Sequence, residues 1–345
     1  MINLKKTGLT ALAGSLVAFS ANAVELSVTG GSEITYTTEG GSETSTGNPF
    51  GAATSMKFSG SGDVGFGTAT IVRTLRDNQS AASYSSAYTT LDLGDMGVLS
   101  FDTTGGGLVG TAAQDDILPT AYEEVWHGVG SAANGTTGIA SKNVLGYRHT
   151  IMGVSVSAGY SKANNGTASG DGGNTGVGSE GTTFDWNLST TVPGVEGLTL
   201  SGGVSNTDSS AMTSDHVNDT LDDKSWTGHI LYTSGATSMG YRMAESQSGV
   251  TAATGNSAEA YSIAYNVNDS LTISYAEQDL EYDKLRVGIL TATKAIDVTE
   301  SVKAVNAAYT VGAATVRTTL STSDNASGVT GIKDDHMEVS LVLAF

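Results

Sequence analysis

Short and long connections alternate strictly along this chain, and few folds tolerate that. Between them lie segments with apolar residues at every second position. "TFDWNLSTTV" sets Phe184, Trp186 and Leu188 against Asp185, Asn187 and Ser189; "AYSIAYNV" sets Tyr261, Ile263, Tyr265 and Val267 against Ser262, Ala264 and Asn266. "LTISYAEQ" offers Leu271, Ile273 and Tyr275, and "VSVSAGYS" offers Val154, Val156 and Tyr160. A period of two with a small or polar second face marks strands, and no sustained 3.6-residue period competes. About sixteen such segments can be drawn, near 24–37, 54–60, 63–74, 84–93, 97–102, 143–149, 153–161, 182–192, 197–206, 224–234, 236–245, 257–267, 270–278, 302–310, 313–322 and 335–345.

The connections after even-numbered segments are tight: "GSGD", "GDMG", "HTIMG", "VPGVEG", "SGAT", "NDS" and "VGA". Those after odd-numbered segments include "TEGGSETSTGNPFGAA", "SKANNGTASGDGGNTGVGSEG" and "ESQSGVTAATGNSAE". All long loops then emerge at one end of an up-and-down sheet. This is the geometry of an all-β, transmembrane antiparallel up-and-down β-barrel of about 16 strands, with short periplasmic turns and long external loops. A soluble sandwich would bury its apolar face against a second sheet and needs no such one-sidedness. Tyr36, Tyr84, Tyr147, Tyr160, Tyr232 and Tyr309 fall near strand ends, as interfacial girdles require.

The ending "MEVSLVLAF" fits the same fold. Met337, Val339, Leu341, Leu343 and Phe345 share one face, and in a closed barrel that face meets lipid while the other meets water. A terminal aromatic after alternating apolar residues also resembles the C-terminal assembly signal of outer-membrane proteins, which makes Phe345 the expected assembly residue.

The other end reads as a leader. Lys5 and Lys6 precede an apolar run to Phe19, and Ala21-Asn22-Ala23 has the small-x-small pattern of a signal-peptidase site. Residues 1–23 are therefore expected to be a cleaved signal peptide and 24–345 the barrel. No later stretch is apolar enough for a transmembrane helix. With no cysteine, the fold uses neither disulfides nor thiolate metal sites. The 16 basic residues are outnumbered by 35 acidic ones; such a polyanion repels nucleic acid and attracts cations.

Several stretches resemble the general porins of Gram-negative bacteria, especially those of alphaproteobacteria. "VELSVTGGSEITYT" is similar to their first strand, "MEVSLVLAF" to their last, "LGDMGVLSFDTT" to the approach to their constriction loop, and "NVLGYRHTIMGVSVSAGYSK" to the two strands after it. The resemblance spans essentially 24–345. It implies a non-enzymatic homotrimer in the outer membrane, each barrel a water-filled pore for passive diffusion of small hydrophilic solutes and ions, narrowed by an inward third loop. The sequence departs from the family after its fifth strand, where Phe101-Asp102-Thr103-Thr104 lacks the common basic residue.

The third loop, about 103–142, carries "AQDDILPTAYEEVW". Folded inward, Asp115, Asp116, Glu123 and Glu124 would make the constriction acidic and the pore cation-preferring. The glycines at 105–107 supply hinge freedom. Basic residues expected on the inner wall by alternation are Lys57, Arg73, Arg148, Arg242 and Arg317, because an arginine facing lipid near the midplane costs about 2–4 kcal/mol.

Other motifs carry less. "GSGDVG", 60–65, is followed by strand character in "FGTATIVRTL" and reads as a hairpin turn, not a dinucleotide loop. His127, His149, His216, His229 and His336 have no His-x-x-x-His spacing, so a zinc hydrolase lacks support. No cofactor is expected; Asp222-Asp223 and Asp334-Asp335, placed in external loops, offer at most weak calcium ligands. The alternatives are a substrate-specific channel of the same fold, which would show an aromatic ladder, and a barrel enzyme, which would need an organised nucleophile or water.

Overall fold

Every period-two segment becomes a strand, and each strand pairs antiparallel with its sequence neighbours until the last returns to the first. The computed structural model describes residues 25–41, 46–77, 83–104, 117–130, 143–162, 182–207, 223–247, 255–283 and 297–344. The strands are β1 (Glu25–Gly41), β2 (Phe50–Asp63), β3 (Thr68–Asp77), β4 (Ser83–Asp92), β5 (Val98–Thr104), β6 (Val144–Ile151), β7 (Val154–Lys162), β8 (Thr182–Thr191), β9 (Leu198–Thr207), β10 (Asp223–Ser234), β11 (Thr237–Gln247), β12 (Gly255–Asn268), β13 (Leu271–Asp283), β14 (Val298–Val311), β15 (Ala314–Asp324) and β16 (Lys333–Ala344). They form one closed barrel. Among the described residues no helix is long and apolar enough to cross a membrane.

Closure rests on the pairing of β1 with β16, from Gly31 opposite Ala344 to Gly41 opposite Asp334. The terminal "MEVSLVLA" is thus an interior member of a ring and has no free edge. Phe345 and the leader 1–23 lie outside the described residues.

The tight turns are built by residues that suit them. Met152 and Gly153 join β6 to β7 with φ of 52° and 83°, the doubly left-handed geometry of a two-residue hairpin that matches strand twist. The Asp63 carboxylate accepts the Gly65 N–H at 2.6 Å and the Asp92 carboxylate that of Gly94 at 2.9 Å, so each aspartate closes its own turn. Residues 60–63 end β2 and the turn to β3 follows at 64–67, so the stretch 60–65 enters such a hairpin.

Opposed residues on paired strands share a face, which fixes inside and outside all round. Leu26, Val28, Ile34 and Tyr36 of β1 are exposed on the outer face, with Val339, Leu341 and Leu343 beside them. Tyr84, Tyr147, Tyr160 and Tyr309 are likewise exposed. Inside, the wall is hydroxyl and amide: Asn306, Thr319 and Ser340 are fully buried. A continuous outer ring of apolar side chains suits hydrocarbon and not water.

In the outer halves of β12–β14 the pattern inverts. Ala258, Ala260, Leu280 and Val302 are buried on the inner face, while Glu259, Asp279 and Lys303 are exposed outside. Around Val302 the inner wall is covered by an inward segment of the chain. One consequence of closure is measurable: the folded protein should migrate anomalously in detergent gels and shift on boiling, since a ring offers no edge from which to unzip. Identical migration with and without heating would contradict a closed barrel.

Candidate functional site

The third long connection leaves β5 at Thr104 and rejoins at β6, and its described part, 117–130, lies inside the barrel. It crosses the inner wall from β11 to β1. Leu118 and Pro119 sit against Gly240, where a β-carbon would come within 2.7 Å of both. The Ala121 N–H donates to Ser274 Oγ at 2.8 Å, and Asn306 Nδ2 donates to the Glu123 carbonyl at 3.0 Å. Val125 and Val129 then pack on Ala276, Val302 and Ala304, with Trp126 alongside. This apolar patch accounts for Val302 and its neighbours Ala276 and Ala304 on the inner face, which the loop covers; Ala258 and Leu280 pack instead with Ala244 and Tyr282.

Beyond the patch the contacts become ionic. Tyr122 donates to Glu338 Oε1 at 2.5 Å and lies 3.2 Å from Glu33 Oε1. Its ring is covered by the Arg317 guanidinium at 4.2 Å, which also pairs with Glu33 at 2.6 Å. His127 contacts Glu123 through Nδ1 at 3.3 Å and Glu338 through Nε2 at 3.6 Å. Its ring meets that of His336 edge-on, centroids 5.3 Å apart. Gly130 N–H donates to Asp334 Oδ2 at 2.7 Å, and Ser327 Oγ donates to the Gly130 carbonyl at 2.5 Å.

Burial shapes the charges of this segment. Burial, joined by the Glu338 carboxylate that it donates to, holds the Tyr122 hydroxyl well above the ordinary phenol range, so it stays a donor. The hydrogen bond to Glu338 raises His127 above ordinary imidazole, against the opposing effect of burial. Burial raises the Glu123 carboxyl, with the charge of His127 pulling the other way.

Of the acidic residues expected at a constriction, Glu123 and Glu124 lie on this inward segment, and Asp115 and Asp116 lie outside the described residues. Lys57 faces inward between the exposed Met56 and Phe58. Arg317 also faces inward, already paired. Arg242 faces inward but is 1% exposed, covered by the Trp126 ring at 5.0 Å and donating to Gln278 Oε1 at 2.8 Å; it holds the loop from beneath. Arg148 faces inward at the short-turn end, lining a cavity of about 500 Å³ with Asp92 and Asp95.

Arg73 corrects the expectation. It is opposite Phe58, on the outer face with Ile71, and its guanidinium donates to the carbonyls of Val72 at 2.7 Å and Tyr88 at 3.1 Å. The cause is the adjacent apolar pair Ile71-Val72: Ile71 is 51% exposed outside while Val72, 3% exposed, is inside, so alternation read from Val72 inverts. Asp334 and Asp335 also differ from expectation. They belong to β16 and not to an external loop, and as strand neighbours they point to opposite faces, so they do not offer one ion two adjacent carboxylates. Asp222 lies outside the described residues.

Sequence reasoning missed Arg76. Opposite Ser55, it faces inward across a cavity of about 450 Å³ whose other walls include Glu33, Tyr122, Glu123, His127 and Glu338. It also missed Glu33 and Glu338, carboxylates at inward positions of two otherwise ordinary strands. Alternation alone places each of them inside and so marks them as lumen charges.

No protein-family profile and no curated protein matches the sequence. Solved structures do match. OmpF of Salmonella typhi, in complex with daunomycin, superposes with a TM-score of 0.69 at 14% identity over 93% of this chain and 97% of that one. A porin refined at 1.8 Å resolution gives 0.62 at 15% identity over 93% and 100%, and a mutant of Rh. blastica porin gives 0.61 at 11% over 93% and 100%. Likeness at such identities carries fold, and the fold is that of the bacterial general porins: sixteen antiparallel strands in a closed barrel.

Proposed function

We propose that this chain is an outer-membrane porin, a water-filled channel for passive diffusion of small hydrophilic solutes and ions, preferring cations and without catalytic activity. The observation that carries this reading is the segment 117–130, held inside a closed barrel by contacts reaching from Gly240 to Asp334. A barrel lumen narrowed by a loop is a sieve, and carboxylates on that loop set which ions it favours. Its folded neighbours named as porins support the same reading.

Export by the leader 1–23 and assembly as a homotrimer belong to the proposal. Arg73 supports the trimer: it stands on the outer face about midway along β3, where hydrocarbon would impose about 2–4 kcal/mol and a protein neighbour would not. Planar-bilayer recording of the purified protein tests the whole reading. Discrete conductance steps are expected, closing in threes under voltage. Absence of any step from correctly folded protein would reject the channel, and closure in single units would reject the trimer alone.

A further inference from the structure

We propose that His127, His336 and Glu338 form a binding site for a divalent transition-metal ion of the zinc class, one that ties the inward loop to the barrel wall. Each of the three residues offers a donor atom within 4.8 Å of the others. They come from two elements: His127 from the loop, His336 and Glu338 from the inner face of β16.

The second observation is the state of His336. Its side chain is 3% exposed, and Nδ1 lies 2.9 Å from Glu39 Oε1. Glu39 is its direct cross-strand partner. A carboxylate accepting from Nδ1–H fixes the tautomer with its lone pair on Nε2. That Nε2 is buried and has no hydrogen-bond partner. A buried nitrogen without a partner carries a desolvation cost, which a bound cation removes.

His127 repeats the arrangement. Glu123 Oε2 stands 3.3 Å from its Nδ1, while its Nε2 faces Glu338. Both imidazoles therefore have a carboxylate at Nδ1, and His127, His336 and Glu338 bring donor atoms within 4.8 Å of one another. Carboxylate–histidine–metal relays have this form, the outer carboxylate orienting the ring and raising its basicity. The cavity lined by His127 and Glu338 supplies entry from the lumen. Two imidazoles and one carboxylate, with room for water, suit zinc, cobalt, nickel or copper. Calcium and magnesium want oxygen donors throughout.

His127 already bridges Glu123 and Glu338. The ion would substitute coordinate bonds for its contact with Glu338. Loop and wall would then be joined at a point that the apolar patch does not reach.

Cobalt(II) titration of the folded, chelator-stripped protein tests this directly, because low-coordinate cobalt absorbs visibly whether or not the barrel conducts. One cobalt per chain is expected, displaced by zinc and not by calcium. His336→Gln and His127→Gln should each abolish the band, while His149→Gln, on the outer face, should leave it unchanged. Glu39→Gln, a positioning change, should weaken binding by about 10- to 100-fold. Heat-dependent gel migration verifies that each variant is folded. No band from folded wild type, or a band surviving both His127→Gln and His336→Gln, overturns the site.

Discussion

Gly128→Val is expected to release the inward segment from the wall while leaving the barrel assembled. Gly128 has φ of 75°, and a β-carbon there would lie 2.1 Å from Cγ and 2.2 Å from Nδ1 of His336. The ring cannot step aside, since it is buried and tied to Glu39. Left-handed backbone costs a non-glycine residue about 1–2 kcal/mol, and overpacking adds about 1–3 kcal/mol. The sum, about 2–5 kcal/mol, lowers the docked-to-undocked ratio by roughly 30-fold to several thousand-fold. Opposing it are the Val125 and Val129 packing and the hydrogen bonds at Ala121, Glu123 and Gly130. In single-channel records the variant should show higher conductance and noisier open states, with heat-dependent migration retained. Wild-type conductance and noise would mean that 117–130 does not narrow the lumen.

Barrel and turns are legible in the sequence because both are local. A strand with one face in lipid and one in water must alternate, and a two-residue turn needs residues such as Met152-Gly153 that bring the chain back at once. Legibility fails where the two solvents change places. The outer half of β14 carries Val298 and Val302 inside, with Glu300 between them, and Thr299, Ser301 and Lys303 outside, so a search for the usual polarity starts that strand at 302 although pairing begins near Val298. It fails at Ile71-Val72, where adjacent apolar residues leave the phase undecided, and at Asp334-Asp335, whose acidity resembles a loop.

The site was legible in composition but not in partnership. Glu123-Glu124 stands out as a carboxylate pair in a long loop, and alternation places Arg317 inside. Nothing in the spacing of the histidines joins His127 to His336, because strand closure brings the end of the chain back beside its beginning and the loop folds onto that seam. Glu33, Glu39 and Glu338 gain meaning for the same reason: they line the seam between β1 and β16 where the loop lands.

Replacing Asp115, Asp116, Glu123 and Glu124 together by their amides should move the reversal potential in a salt gradient toward zero, and Arg317→Gln should move it the other way. Glu33 is largely answered by Arg317 at 2.6 Å, and Glu338 by His127 and Tyr122. The field left for a passing ion is therefore expected to depend on the loop carboxylates as well, of which Glu123 is met by His127 at 3.3 Å. At about 5 Å in water one charge contributes roughly 0.8 kcal/mol, close to 4-fold for a monovalent cation, so several acting together give about ten-fold or more. Removing Arg317 frees the Glu33 charge and has the opposite sign. Both effects should shrink between about 0.1 M and 1 M salt as the screening length falls from ~10 Å to ~3 Å. Testing Glu123→Gln/Glu124→Gln apart from Asp115→Asn/Asp116→Asn shows which half of the loop faces the ions. Should the fourfold variant keep the wild-type reversal potential at low salt, the loop carboxylates do not select ions, and the acidity of this chain serves surfaces that the current never meets.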